Sequence, residues 1–211
     1  MPVSGVLEQF LDYWHDLPRG EDGVLPERAA LKPSILHEIL PRLALLKRLD
    51  RYNVTASMMC TEYDSQWHGP MVGMNAFDLT PANMRENTAE LYSAVLDQPA
   101  AALIRETVTL KSGKSADVAS LYLPLANSLG APTYIVGCTV YEKRPTYESI
   151  NDRLILDHQR VRGIEFLDIG AGQPAYNFER PQPRGPEATV SNWWERLIPN
   201  RNRTNETRLD A

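Results

Sequence analysis

The sequence predicts an α+β fold, a mixed sheet wrapped on one side by helices, on three observations. Tyr52, Val54, Ala56, Met58 and Cys60 share one parity, while Asn53, Thr55, Ser57 and Thr61 share the other, with only Met59 breaking the polar face. Tyr134, Val136, Cys138 and Val140 repeat the pattern against Thr133, Gly137 and Thr139. Alternation at period two sends one set of side chains into a core and the other toward water. Two polar, Gly-containing breaks, Ser112-Gly113-Lys114 and Asn127-Ser128-Leu129-Gly130, then separate three strand-like runs, Ile104–Leu110, Ala116–Ala126 and Thr133–Tyr141. Successive strands joined by short turns make an antiparallel meander.

The remaining elements follow in chain order. Val3, Leu7, Phe10, Leu11 and Trp14 recur at helical spacing behind Ser4, a capping residue. Such an amphipathic helix must cover its apolar stripe, either on the domain's own sheet or against the same helix of a second chain. Leu7, Phe10, Leu11 and Trp14 are the residues of a dimer seam in the second reading. Asp16–Arg28 is polar, with Gly and Pro, and reads as a loop. Pro33 stands like a first helical residue before Ile35, Leu36, Ile39 and Leu40, a short buried helix ending at Pro41. Leu43–Leu49 reads as an apolar strand running into a charged, solvated turn at Lys47–Arg51. The pattern dissolves over Glu62–Thr80. Thr80-Pro81 then opens a helix with a cap and a first-turn proline, and Met84, Thr88, Leu91, Tyr92 and Val95 line one of its faces until Asp97-Gln98-Pro99.

Composition bounds the class. The chain has 211 residues, 43% apolar and 23% charged, as expected for one globular domain with appendages. No run approaches the roughly 20 apolar residues of a membrane span, and the first residues lack the pattern of an export signal, so a cytoplasmic protein is expected. Asn-x-Thr triplets at Asn53, Asn202 and Asn205 carry little weight in that setting. Cys60 and Cys138 read as buried, reduced core thiols, with a cross-strand disulfide as the other reading. The net charge is −5, and residues 144–211 balance ten arginines with ten acids. No segment concentrates the basic charge that a nucleic-acid partner requires.

The order strand, strand, irregular helical segment, long helix, three strands is that of a PAS domain. Trp14, Leu17-Pro18, Leu25-Pro26, Arg28, Leu36, Ile39-Leu40-Pro41, Leu45-Leu46, Gly73–Leu79, Leu123-Pro124-Leu125 and Gly137 sharpen the match. On these residues the chain resembles the PAS-like family (PAS_5) found mostly in alphaproteobacteria and long described as a domain of unknown function. The resemblance covers roughly residues 7–143. It departs at Asp64–Gly73, where Trp67-His68-Gly69-Pro70 and Val72-Gly73 stand in place of the family's Gly-Thr-x-Ile-like step and Thr-Gly pair. It implies a PAS-like five-stranded antiparallel sheet with helices over one face. Such domains bind a small ligand between sheet and helices, dimerise, or dock partners, and most have no catalytic activity.

Individual residues narrow the chemistry. A flavin photosensor needs a reactive helical cysteine, and both cysteines here lie on strands. A haem sensor needs an axial ligand on or near the long helix, and Pro81–Leu96 has no histidine. His68, in the irregular wall, is the one histidine near the inferred cavity, and it reads more readily as a surface or capping residue. His15, His37, His68 and His158 show no metal-ligand spacing. No cofactor and no metal is therefore expected, while an unidentified small ligand remains open. Glu106 shares parity with Ile104, Val108 and Leu110. It is either a ligand anchor, with Tyr122 on the neighbouring strand, or a solvated or Arg-paired carboxylate on a bulged or edge strand, the commoner case. Met58, Trp67, Phe77, Tyr92 and Tyr134 are candidates for an apolar pocket lining, with ordinary core as the default.

The C-terminal third divides into residues 145–169, read as an output helix over Ser149–Arg162 followed by a short strand at Ile164–Ile169, and residues 170–211, a Gly- and Pro-rich linker with a polar tail. Ahead of these stand the N-terminal helix and loop at 1–28 and the PAS-like domain at 29–144. Within the extended tail, Trp193, Trp194, Leu197 and Ile198 resemble a short docking element for a protein partner, or else fold back on the domain. The expectation is a non-catalytic sensory or regulatory protein that binds a small ligand or docks a signalling partner. The alternative is an adaptor with a filled cavity, acting through protein contacts alone.

Overall fold

The computed structural model describes residues 5–20, 23–32, 37–59, 71–80, 82–110, 113–143 and 156–176. All of them belong to one compact unit, Met1–Pro181. The docking candidates Trp193, Trp194, Leu197 and Ile198, the pocket candidates Trp67 and His68, and Cys60 lie outside the described residues.

Six strands form one sheet: β1 (Leu43–Asp50), β2 (Asn53–Met59), β3 (Ala100–Leu110), β4 (Ser115–Ala126), β5 (Pro132–Lys143) and β6 (Leu156–Asp168). Their spatial order is β2-β1-β5-β4-β3-β6, and every strand pairing is antiparallel. The meander β3-β4-β5 is present, and the mixed sheet gives way to an antiparallel one. The sixth strand is the larger correction. Leu156–Asp168, expected to be helical up to Arg162, pairs with β3 along its length. Val161, Ile164 and Phe166 all reach one apolar cluster, although Arg162 breaks their spacing. A bulge between Arg105 and Glu106, where Val161 and Gly163 face successive β3 residues, absorbs the extra residue.

Helices cover both faces, not one. The helix α1 (Val6–Asp16) places Leu7, Phe10 and Trp14 against Leu43, Leu45, Leu103, Leu121, Leu123 and Leu125. Phe10 and Trp14 have no exposed surface. Leu7, Phe10 and Trp14 are thus occupied inside the chain and are not free to form a dimer seam, and Leu11 packs at the edge of the same cluster. The Trp14 indole donates to the Pro124 carbonyl at 3.0 Å, tying the helix to β4. Arg19 lies 4.9 Å over the Trp14 ring and donates to the carbonyls of His15 and Leu17, closing the helix terminus. Beyond it, the Ala126 amide donates to the Pro26 carbonyl at 2.9 Å. The proline-marked residues of the N-terminal segment therefore converge on the end of β4.

The opposite face carries α2 (Ala76–Leu79) and α3 (Arg85–Asp97). α3 starts at Arg85 rather than at Pro81, because the Thr80 hydroxyl bonds back to the Ala76 carbonyl and does not cap the next helix. Arg48 pairs with Asp97, and Arg51 and Tyr52 both bond Glu86, so the charged turn expected to be solvated reaches α3 near each end. The helix expected before Pro41 is, within the described residues, a single 3₁₀ turn at Leu40–Arg42.

Asn75 organises the entry to α2. Its carboxamide oxygen accepts from the amides of Val54 and Phe77, and its nitrogen donates to the Tyr52 carbonyl at 2.9 Å. Asn75→Ala should cost about 1–3 kcal/mol, since a helix cap and a strand contact are lost together. Urea denaturation of the variant checks this.

Candidate functional site

Between the sheet and α3 lies a cavity of about 260 Å³. Its floor is the strand face that alternation at β4 supplies through Val118, Ser120 and Tyr122, flanked by Ile104 and Glu106 on β3 and by Gly137 and Thr139 on β5. Its roof comes from Thr88, Leu91 and Tyr92 on α3, and methionines 59, 71, 74 and 84 line it as well. The lining is mostly apolar, with polar groups from Glu106, Ser120 and Thr139 on the floor and from Thr80, Asn87 and Thr88 on the helix side. The hydroxyls of Ser120 and Thr139 are 2.7 Å apart. The rings of Tyr92 and Tyr122 stand 6.3 Å apart at 46° and form a corner.

Gly137 shapes that corner. A Cβ at this position would lie 2.9 Å from Cδ1 and 3.0 Å from Cε1 of Tyr122. The strand can carry the ring across its backbone only because the side chain is absent.

The cavity brings together three of the sequence-predicted residues, Tyr92, Glu106 and Tyr122. Phe77 is buried behind Tyr92, at 5.9 Å between ring centroids, in the core of the same face. Met58 and Tyr134 belong to the opposite face and pack on the α1 core. For Met58 the cause is a bulge: Leu45 pairs with Met58 but Leu46 pairs with Ala56, so the extra residue Ser57 reverses the alternation. Met59, which broke the polar face in the sequence, is the cavity residue. For Tyr134 the cause is that β5 is buried on both faces, with Val136 and Cys138 toward α1 and Ile135 and Gly137 toward α3. Cys138 is fully buried. Among the described residues no cluster of His, Cys, Asp or Glu could hold a metal ion.

A family model described as a PAS domain, PAS_5, matches residues 4–140, from before α1 into β5. The chain belongs to this PAS-domain family. Its role is thereby a sensory or regulatory one in general terms. No curated protein matches the sequence. No helix among the described residues is long and apolar enough to cross a membrane.

Part of this PAS domain's cavity lies beyond the matched stretch. β6 contributes Val161 and Ile164, and the segment after it brings Tyr176 to the wall. Tyr176 packs on Phe166 with centroids 5.2 Å apart and ring planes tilted by 60°, its hydroxyl donates to the Asn87 carbonyl, and Gln98 donates to the Gln173 carbonyl. The sequence gives no warning of this role, since Ala175-Tyr176 sits among Gly and Pro residues that read as linker.

Burial raises the pKa of both α3-side tyrosines. That of Tyr92 is driven up by desolvation and then by the negative charge of Glu106. That of Tyr176 is pushed up to about 12 by desolvation and then by Glu90. A phenol whose folded pKa exceeds its unfolded value of about 10 contributes stability that is intact below pH 10. That contribution is lost as the pH climbs through the folded value. Tyr176→Phe should therefore remove tyrosinate absorbance that the native protein develops only as the pH approaches about 12.

Proposed function

We propose that this PAS domain is a non-catalytic sensory or regulatory module that takes a small ligand into the cavity between the sheet and α3. The observation that carries the reading is the cavity itself, about 260 Å³ of mostly apolar space with a few polar groups on its sheet and helix walls. Ligand sites have this composition: apolar surface supplies affinity and a few placed polar groups fix orientation. The volume falls just below the roughly 300–1,000 Å³ of drug-sized sites, so the fitting ligand is small. The described lining has one carboxylate, hydroxyls and no histidine, which supports recognition over acid–base chemistry.

The methionines supply the test. Met59, Met71, Met74 and Met84 line the cavity, whereas Met58 faces α1. With methyl-labelled methionine, titration with 1-pentanol should move the four cavity signals in parallel and leave that of Met58 in place. Unmoved cavity methyls would contradict the reading and favour an adaptor acting through protein contacts alone.

A further inference from the structure

The make-up of the lining narrows the ligand further. The whole chain has six methionines, and four of them, Met59, Met71, Met74 and Met84, line the cavity. The thioether is polarisable and makes favourable contacts with aromatic rings, often at the ring edge. Two tyrosine rings, Tyr92 and Tyr122, border the same space, 6.3 Å apart and tilted by 46°. Aromatic rings pair edge to face or offset, at centroid distances of about 4.5–7 Å, so the angle between these two accepts a third ring. The corner is also held in place. Phe77 packs against Tyr92 at 82°, and Tyr52 against Phe77 at 72°, both edge to face. A site ordered before its ligand arrives spends less binding energy on ordering.

The floor sets the polar end. Ser120 and Tyr122 lie two residues apart on the cavity face of β4, about 7 Å along a strand. The Ser120 hydroxyl shares a hydrogen bond with that of Thr139. A ligand hydroxyl both donates and accepts, so it matches this pair whichever member donates. An apolar cavity of about 150 Å³ holds benzene, so the cavity of about 260 Å³ takes one ring with a short arm.

We propose that the cavity selects a small molecule with a single aromatic ring and a short hydroxyl-bearing arm. The ring lodges between the Tyr92–Tyr122 corner and the methionines, and the hydroxyl lies on the Ser120–Thr139 pair. The assignment rests on the cavity being a ligand site. It makes ring chemistry, and not apolar bulk alone, the basis of selection. A saturated ring of the same size buries more apolar surface but has no π-system for sulfur or tyrosine to meet. A linear chain can follow flexible methionines but loses its own conformational freedom on binding.

Benzyl alcohol, cyclohexylmethanol and 1-heptanol separate these cases, since they share carbon number and a terminal hydroxyl. Each is titrated into the full chain and followed on the methionine methyl signals. Benzyl alcohol should bind at least about fivefold more tightly than either of the others. Met59→Leu combined with Met84→Leu nearly conserves volume and should cut that margin by about half or more, with Met71 and Met74 left as reporters. Ser120→Ala should weaken benzyl alcohol about threefold or more, and toluene, which has no hydroxyl, by less than about twofold. Equal or tighter binding of cyclohexylmethanol or 1-heptanol by the native protein would overturn the aromatic assignment and leave the cavity a ligand site. A margin undiminished in the leucine variant would do the same. Equal weakening of toluene and benzyl alcohol in Ser120→Ala would overturn the placement of the hydroxyl. Failure of every probe to move the cavity methyls would overturn the assignment and the ligand reading together. The comparison on native protein decides the aromatic assignment even where a variant folds poorly.

Discussion

Trp14→Ala should destabilise the domain by about 3–5 kcal/mol, the usual cost of truncating a large buried aromatic side chain. The side chain has no exposed surface and sits centrally in the cluster that joins α1 to four strands. Its removal also strips the Pro124 carbonyl of the indole donor, and an unsatisfied buried acceptor adds a penalty of its own. Domains are stable by roughly 5–15 kcal/mol, so the variant should be partly unfolded near its working temperature. Trp14→Phe retains most of the apolar contact and should lose only about 1–3 kcal/mol. Urea unfolding midpoints of both variants provide the check. A loss under about 1 kcal/mol for Trp14→Ala would mean that α1 is not docked on the sheet and would return its stripe to the dimer-seam reading. Since that stripe is internal, unfolding of the native protein should also be independent of protein concentration.

Gly137→Ala should be the most damaging single-methyl change to ligand binding. The new Cβ would stand 2.9 Å from the Tyr122 ring, on a strand whose backbone is pinned by both β1 and β4. The ring is the part that can give, and its displacement takes space from the cavity. Overpacking of this kind costs about 1–3 kcal/mol of stability. Room for one or two methylenes, each worth about 0.8 kcal/mol, is lost as well, so 1-pentanol should bind roughly tenfold more weakly. Gly163→Ala is the control, because a Cβ there meets nothing within 4 Å. Full binding in Gly137→Ala would show that the Tyr122 corner does not bound the ligand.

The meander, the amphipathic α1 and the apolar face of α3 were legible in the sequence because each depends on one local period. The cavity was legible in part, through Tyr92, Glu106 and Tyr122. Glu106 stood out because a carboxylate on an apolar parity has few reasons to be there. The misplacements share a physical origin. In a sheet covered on both sides, β4 and β5 bury both parities, so alternation identifies two faces without saying which one holds the cavity. Tyr134 fell on the wrong face for that reason. Met58 did so because a bulge opposite Leu45-Leu46 shifts the register by one residue, which a periodic reading does not see. β6 read as helix up to Arg162 because a bulge that leaves Arg162 unmatched on β3 interrupts the strand alternation. The place of Tyr176 in the wall is a long-range contact, and nothing near it in sequence encodes it.

The most direct test of the central claim, that the cavity holds a small ligand, is native mass spectrometry of the protein taken gently from its own cells, set beside a denatured spectrum. A mass excess present in the native spectrum and lost on denaturation is the predicted result, and it should shrink or vanish in Gly137→Ala. A native mass equal to the bare chain would contradict the claim and leave the domain as a scaffold for protein contacts.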